Sequence, residues 1–431
     1  MMNTETNISS QNIIAQHVGI CRLCSAPLRH TFVDLGMSPP CESFVPAEAL
    51  NRMEAYYPLH AFVCSECYLV QLQEYVAPAS IFEEYAYFSS FSDSWVAHAK
   101  RYCDAVVDRF NLGPDSFVVE IASNDGYLLQ HLLNRDISIL GIEPAVNVAQ
   151  AAEAIGVPTL TDFFSTTLAQ EMADDGRQAD LIIGNNVLAQ VPDLNDFVAG
   201  MKILLKDAGV ITLEFPHIAR LIAENQFDTI YHEHFSYFSL LTIETMAARN
   251  GLMVFDVEEL TTHGGSLRVY LAHAGGPWLR EPSVDALLER ERGAGLDQLD
   301  TYAAFADATR HTKRQLLSFL IGLKEKQKSI CAYGAPGKGN TLLNYCGIGT
   351  DFLDFAVDRN PYKHGRYTPG MRIPILPVAE IERAKPDYVL ILPWNLKTEI
   401  VAQMSTIGAW GGKFIVPIPE VTVIDPREIV S

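Results

Sequence analysis

The sequence predicts an α/β protein in three parts: a small cysteine-rich module, a central sheet of mostly parallel strands flanked by helices, and a second, smaller α/β sheet. Three observations carry this. Cysteines pair at two-residue spacing only near one end, short β-branched runs alternate with helical stretches from 117 onward, and the alternation restarts at 329 after a long polar helical stretch. A chain of 431 residues has room for about three domains, and its 48% hydrophobic content supplies packed cores rather than disorder. The expected divisions are 1–80, 81–280, a helical connector at 281–328, and 329–431.

In the first part the cysteines read "CRLC" and "CSEC". Two residues between cysteines let both thiolates of a knuckle reach one ion, and two knuckles complete the tetrahedral sulfur set that zinc favours. Cys21, Cys24, Cys64 and Cys67 are therefore the expected zinc ligands; the alternatives are paired disulfides or reduced core cysteines. Four thiolates leave no open position, so this zinc would be structural. Cys41, Cys103, Cys331 and Cys346 are scattered and read as buried free thiols.

The stretch "IFEEYAYFSSFSDSWVAHAKRY" at 81–102 becomes helical in its second half. Its aromatic head, with Tyr85 and Tyr87, either packs one domain on the next or faces an interdomain cleft, where ligand pockets collect.

The central part then alternates. "FVVEIA" is a strand, "YLLQHLLNR" a helix, "SILGIEP" a strand, and "NVAQAAEAIG" a helix ending at Gly156. "DLIIGNN" and "GVITLEF" continue the sheet, and "MVFDVEEL" with "SLRVYLAHA" closes it as an antiparallel pair. Ligands in such sheets bind beyond the carboxyl ends of the strands. The candidate set there is Glu120, the turn Ala122, Asn124 and Gly126, then Glu143, Pro144, Asp162, Phe163, Asn185 and Asn186. Glu143 can accept two ribose hydroxyls, Asp162 an adenine amine, and Phe163 can cover the base. The turn lacks G-x-G-x-x-G, which disfavours a dinucleotide and leaves S-adenosylmethionine as the better adenosine ligand.

The last part opens with "SICAYGAPGKGNTLLNYCGIG", a strand running into a Gly-rich loop with Lys338 and a helix starting near Thr341. Such amides with a nearby lysine suit phosphate oxygens, although no G-K-[ST] makes it a P-loop. Later strand ends carry Asp358, Trp394 and Asn395.

A formal charge of −20 argues against a nucleic-acid binder, which needs a basic face to displace counterions. No run of about 18 apolar residues suggests a membrane span, and a cytoplasmic protein, a monomer or small homo-oligomer, is expected.

Taken together, "CRLC…CSEC", "DLGMSPP", "YAYFSSFSDSW", "EIASNDGYLL", "GIEPAVNVA", "YHEHFSYFS", "HGGSLR" and "AYGAPGKGNTLLNY" resemble, in order and over nearly the whole chain, the sugar C-methyltransferases of deoxysugar pathways. The resemblance implies a zinc-binding N-terminal domain, a Rossmann-like class I methyltransferase sheet binding S-adenosylmethionine, and a C-terminal Rossmann-like domain holding a nucleotide-linked keto-sugar, by default one methylated at carbon 3 of a 4-keto-6-deoxy ring. Substrate contacts are expected from Tyr85, His263, Tyr333, Lys338, Asn340, Asp358, Trp394 and Asn395.

A carbon next to a ketone becomes nucleophilic only when a base removes its proton, and the enolate needs a donor or positive group at its oxygen. "YHEH" supplies both. His234 is the expected base, Glu233 its orienting or polarising partner, Tyr231 the contact to the sugar or enolate oxygen, and Tyr87 a second donor. His232 reads as a packed histidine. A nicotinamide-dependent oxidoreductase or epimerase, and a non-catalytic nucleotide-sugar binder, are the competing classes.

Overall fold

A computed structural model describes residues 19–75 and 88–428. Tyr85 and Tyr87 lie outside the described residues.

The N-terminal module is an antiparallel sheet of His30–Ser38, Tyr57–Val63 and Val70–Leu72. Its fourth strand comes from far along the chain. Ser236–Tyr237, the tail of the "YHEHFSY" stretch, pairs antiparallel with Val70–Leu72, Ser236 opposite Gln71 and Tyr237 opposite Val70. The stretch is tied to the central domain as well, since the Phe235 amide donates to the Ala189 carbonyl at 2.7 Å. It is thus held from both sides by backbone pairing rather than left as a free loop.

The central sheet has seven strands in the order Leu252–Leu260, Ser266–His273, Leu205–Pro216, Ala179–Asn185, Phe117–Ile121, Ser138–Ile142, Thr159–Leu160. All neighbours run parallel except Ser266–His273, which is antiparallel to both of its own. The order in which strands are added reverses at Phe117–Ile121, with Ser138–Ile142 on one side and Ala179–Asn185 on the other, and an open α/β sheet binds ligands at the carboxyl edge of such a point. The expected helix over "YLLQHLLNR" is only a short 3-10 turn, Leu129–His131. Leu128, Leu129 and Leu132 are all fully buried beside Tyr102, Cys103 and Val106 of the helix Asp93–Phe110. These three positions would share one face of a regular helix as well, which is why the run reads as helical although the chain makes only a short turn there.

The C-terminal sheet is ordered Ile375–Pro377, Ala356–Asp358, Ile330–Tyr333, Tyr388–Ile391, Lys413–Val416, Thr422–Ile424, parallel but for the last strand. Its first helix spans Gly337–Cys346, starting four residues before the expected Thr341, so that "GKGN" is the opening turn. Gly339 explains the tight approach: a Cβ there would stand 2.9 Å from Leu392 Cβ at the end of the adjacent strand.

Two helices join the parts. In Pro282–Gly293, Glu291 takes His217 Nε2–H and the amides of Leu240 and Leu241 within 2.7–2.9 Å, which pins that helix to the central domain. Leu299–Glu325 lays Phe305 flat on Phe32 of the N-terminal sheet, ring centroids 4.5 Å apart, and shares one apolar core with the C-terminal strands. Among the described residues no helix is long and apolar enough to cross a membrane.

Candidate active site

The three parts enclose one cavity of about 820 Å³. It opens where the carboxyl ends of the central strands face the first turn of the Gly337–Cys346 helix, with the 229–234 stretch between them. Of the expected residues it brings together Ala122, Asn124, Glu143, Pro144, Asp162, Phe163, Asn185, Asn186, Tyr231, Glu233, His234, His263, Lys338 and Asn395.

Glu143 follows its strand directly. Its two carboxylate oxygens accept the amides of Asn124 and Ala145 at 3.0 and 2.9 Å. Each oxygen keeps a lone pair, and burial raises the carboxyl above its usual range. Ala122, Asn124 and Gly126 all have positive φ, so the turn curls tightly around this edge. Asn124 Oδ1 accepts the Ser89 amide at 2.8 Å, locking the segment before the Asp93–Phe110 helix onto the turn. Asn185 is 8% exposed, and neither Oδ1 nor Nδ2 has a hydrogen-bond partner among the described residues. Glu120 lies behind the cavity wall, its pKa pushed well up by burial and by Asp125 and Glu143, with Oε2 unpartnered among the described residues. Carboxylate lone pairs, an unpartnered amide and an apolar ledge fit the ribose, the amino-acid end and the base of S-adenosylmethionine.

Beside this edge sits a charge network that sequence reasoning missed. His98 Nε2–H donates to Glu214 Oε2 at 3.0 Å, Arg268 Nη2 to the same oxygen at 2.5 Å, and Thr262 Oγ1 to Oε1 at 2.9 Å. Burial would raise the Glu214 carboxyl, but the His98 hydrogen bond and the Arg268 and His98 charges outweigh it and hold it at about 2. Trp95 stacks on His98 and meets His263 edge-on, at 5.0 and 4.9 Å. Glu214 stands two residues before the carboxyl end of the strand Leu205–Pro216, the kind of position that pointed to Glu143.

On the opposite wall His234 Nδ1–H donates to the Thr229 carbonyl at 3.2 Å, so its Nε2 carries the lone pair and accepts from Tyr231 Oη at 3.0 Å. Burial, with the charges of His263 and Lys338, lowers His234 to about 3, and the ring is neutral. Its orienting contact is thus Thr229, not Glu233 as expected. Glu233 turns instead to Cys41, whose Sγ–H donates to Oε1 at 3.6 Å. Burial, with the Glu42 charge beside it, pushes Glu233 up to about 8 and keeps it protonated at neutral pH, so it polarises nothing by charge. His232 points into the N-terminal module, donating to the Pro58 carbonyl at 3.3 Å.

Lys338 Nζ donates to Asn395 Oδ1 at 3.0 Å and lies 4.9 Å from the Trp394 ring centre. Trp394 itself does not line the cavity; its Nε1–H donates to Asp228 Oδ2 at 2.7 Å. Nor do Gly126, Tyr333, Asn340 and Asp358. Tyr333 Oη reaches only Gln403, at 3.5 Å. Asn340 is buried and donates to the Cys41 carbonyl, and Asp358 caps the amides of Ala335 and Asn360. These three expected substrate contacts are turned to protein partners instead, with Asn340 Oδ1 left unpartnered among the described residues. Cys41, Glu42 and Lys363 line the cavity unforeseen, brought there by chain crossings no local pattern encodes.

The four sulfurs of Cys21, Cys24, Cys64 and Cys67 all lie within 4.8 Å of one another, with Cys21–Cys67 at 3.5 Å and Cys24–Cys64 at 3.4 Å. Tetrahedral zinc–thiolate bonds of about 2.3 Å need sulfurs about 3.8 Å apart. The cluster fits a closed structural zinc site.

Three family descriptions match successive segments: a zinc binding domain at 21–82, a methyltransferase domain at 95–257 and a C-methyltransferase C-terminal domain at 261–419. The C-methyltransferase NovU of Streptomyces niveus is 35% identical over 95% of this chain and 98% of its own. A ubiquinone biosynthesis O-methyltransferase of Bartonella quintana is 26% identical over 22% of this chain and 38% of its own. Magnesium protoporphyrin IX methyltransferase of Synechocystis, solved with S-adenosylmethionine, covers 42% of this chain and 82% of its own at 16% identity and a TM-score of 0.32. The near end-to-end match to NovU sets aside the oxidoreductase, epimerase and non-catalytic readings. The chain belongs to the S-adenosylmethionine-dependent C-methyltransferase family of NovU, built as a four-cysteine zinc module, a class I methyltransferase sheet and a further α/β domain.

Proposed function

We propose that the chain methylates a ring carbon next to the ketone of a nucleotide-linked keto-sugar, carbon 3 of a 4-keto-6-deoxy sugar, with the methyl donor held by the central part and the nucleotide by 329–431. The observation that carries this is the Tyr231–His234 pair. It faces the cavity shared by both α/β sheets, and its imidazole is fixed by Thr229 in the tautomer that presents a basic Nε2.

Glu143, Asn185 and Asn124 would hold S-adenosylmethionine, with Asp162 and Phe163 at the base. When bound it supplies an electrophilic methyl group. The remaining work belongs to the chain. His234 Nε2 takes the proton from the carbon beside the ketone; that C–H pair becomes the C=C bond, and the carbonyl pair moves onto oxygen as an enolate. Tyr231 Oη, held against Nε2, sits where it can turn its hydrogen bond to that oxygen. Walls contributed by all three parts keep bulk water from quenching the enolate.

The test is exchange rather than turnover alone. Enzyme given a nucleotide-linked 4-keto-6-deoxy sugar and S-adenosylhomocysteine in deuterated water should wash deuterium into the carbon to be methylated. His234→Gln should lose that exchange and about 10²–10⁴-fold of turnover while both ligands still bind. Undiminished exchange in this variant rejects His234 as the base, and no exchange or methylation with any nucleotide keto-sugar rejects the substrate class.

A further inference from the structure

We infer that Lys338 is a catalytic residue: its ammonium group donates to the enolate oxygen formed when His234 removes the proton, and it does not serve the nucleotide phosphates. The inference rests on the keto-sugar reading above.

An ammonium has three N–H donors. Asn395 Oδ1 takes one at 3.0 Å, and among the described residues no carboxylate oxygen lies within 4.0 Å of Nζ. A partly buried cation without an ion-pair partner is costly to keep, and two of its donors remain for an anion in the cavity it lines.

Its placement says which anion. Lys338 stands over the indole of Trp394, and Trp394 Nε1–H is bonded to Asp228. Asp228 is the middle residue of the short turn Phe227–Thr229, and the last residue of that turn offers the carbonyl that fixes His234 Nδ1. Lysine and base are therefore both braced against this one turn, which ties the position of Lys338 to that of His234. Lys363, the other lysine lining the cavity, is engaged by the Ala335 carbonyl at 2.9 Å and by Glu42 at 3.7 Å.

The chemistry follows from charge. Before proton transfer the ketone oxygen carries only a partial charge, and afterwards a full one. A fixed ammonium at that oxygen binds the enolate much more tightly than the ketone, which lowers the barrier instead of merely tightening substrate binding. The same positive charge helps hold the resting His234 imidazole neutral. The C–H bond breaks as the Nε2–H bond forms, and the displaced pair ends on the oxygen facing Lys338, with no further reactant required.

Lys338→Met keeps the stem and removes the charge; Lys338→Arg keeps the charge. The probes are a nucleotide-linked 4-keto-6-deoxy sugar, S-adenosylhomocysteine in deuterated water, and the matching nucleoside diphosphate alone. Lys338→Met should slow deuterium exchange and kcat by about 10²–10³-fold, with KM and the Kd of the nucleoside diphosphate changed by less than about threefold. Lys338→Arg should recover part of the exchange. Because an unpaired charge is removed, Lys338→Met should melt no lower than the wild type. A variant that exchanges normally but binds the nucleoside diphosphate tenfold or more weakly makes Lys338 a phosphate ligand and overturns the inference while leaving the keto-sugar reading intact. A wild-type enzyme that neither exchanges nor methylates the keto-sugar overturns both.

Discussion

Two clusters of side chains, one at each wall of the cavity, treat charge in opposite ways. On the wall formed by the ends of the central strands, Glu214 is shared by His98, Arg268 and Thr262, and the other arm of Arg268 reaches Glu258 at 2.9 Å. On the facing wall, burial drives the ionisable groups toward neutrality: His234 down to about 3, Glu233 up to about 8, Asp228 up to about 6, while Lys338 remains without a carboxylate partner. A group already satisfied by its neighbours holds geometry; a group left unsatisfied can change its protonation or partner when substrate arrives. In the function proposed above, the paired wall is scaffold for the methyl donor and the unpaired wall is where the proton would move.

The comparison breaks most visibly at the support of the unpaired wall. Val70–Leu72 carries the strand Ser236–Tyr237, and the Cys67 carbonyl accepts from Thr242 Oγ1 at 3.1 Å, so the zinc knuckles brace the segment that holds His234. Metal analysis should find about one zinc per chain. Chelation, or Cys64→Ser, should lower the melting temperature and abolish deuterium exchange, because folding of such a module is coupled to its metal. Metal-free protein with unchanged melting and exchange would remove the zinc from this role.

Next in size is the paired wall itself. Arg268→Met leaves the buried Glu214 with His98 as its remaining ionic partner, and breaking a buried pair from one side costs about 3–5 kcal/mol. Urea unfolding should report that loss, with KM for the keto-sugar unchanged in the folded fraction. A variant as stable as the wild type means the network holds nothing.

How far the two walls could be read in advance follows the range of the interactions. The zinc knuckles, the parallel strands and Glu143 are local patterns: a spacing, a periodicity, a carboxylate at a strand end. The His98–Glu214 pair spans 116 residues and the Cys41–Glu233 contact 192, and no local pattern encodes either. The start of the Gly337–Cys346 helix was hidden because two glycines in its first turn lower helix propensity, although Gly339 is there for close approach to Leu392. Glu233 shows the opposite limit. Its residue type suggested a charge beside His234, whereas burial and Glu42 keep it protonated and turn it to Cys41.

A smaller effect sharpens the assignment of the donor wall. Glu143→Ala removes a carboxylate already anchored by two backbone amides and, in the role proposed for it, up to two charge-assisted hydrogen bonds to the ribose. S-adenosylmethionine binding should weaken by about 1.5–3 kcal/mol. Affinity for the nucleotide sugar alone should stay as it was. Calorimetry with the reverse pattern would exchange the roles of the two α/β sheets.

The smallest expected effect separates the walls by pH. Glu233 has a folded pKa of about 8, raised from 4.5 by burial first and by the Glu42 charge second. In the unfolded chain it ionises near its ordinary value, so between those two values the folded state binds the extra proton. Its contribution to stability is full below about 4.5 and is lost as pH rises through 8. Glu214 runs the other way: held at about 2, it contributes fully above 4.5, and that contribution is lost only as pH falls toward 2. Between pH 7 and 8 Glu233 should therefore cost the protein about 1 kcal/mol of stability while the Glu214 contribution is flat. Glu233→Gln, which keeps the shape of the neutral acid, should flatten the wild-type slope in that interval. Glu214→Gln should lower the whole curve and leave its slope alone. A Glu233→Gln variant whose stability still falls as steeply from pH 7 to 8 would mean that Glu233 is already ionised at neutral pH, and the facing wall would then hold a carboxylate charge on the residue next to His234.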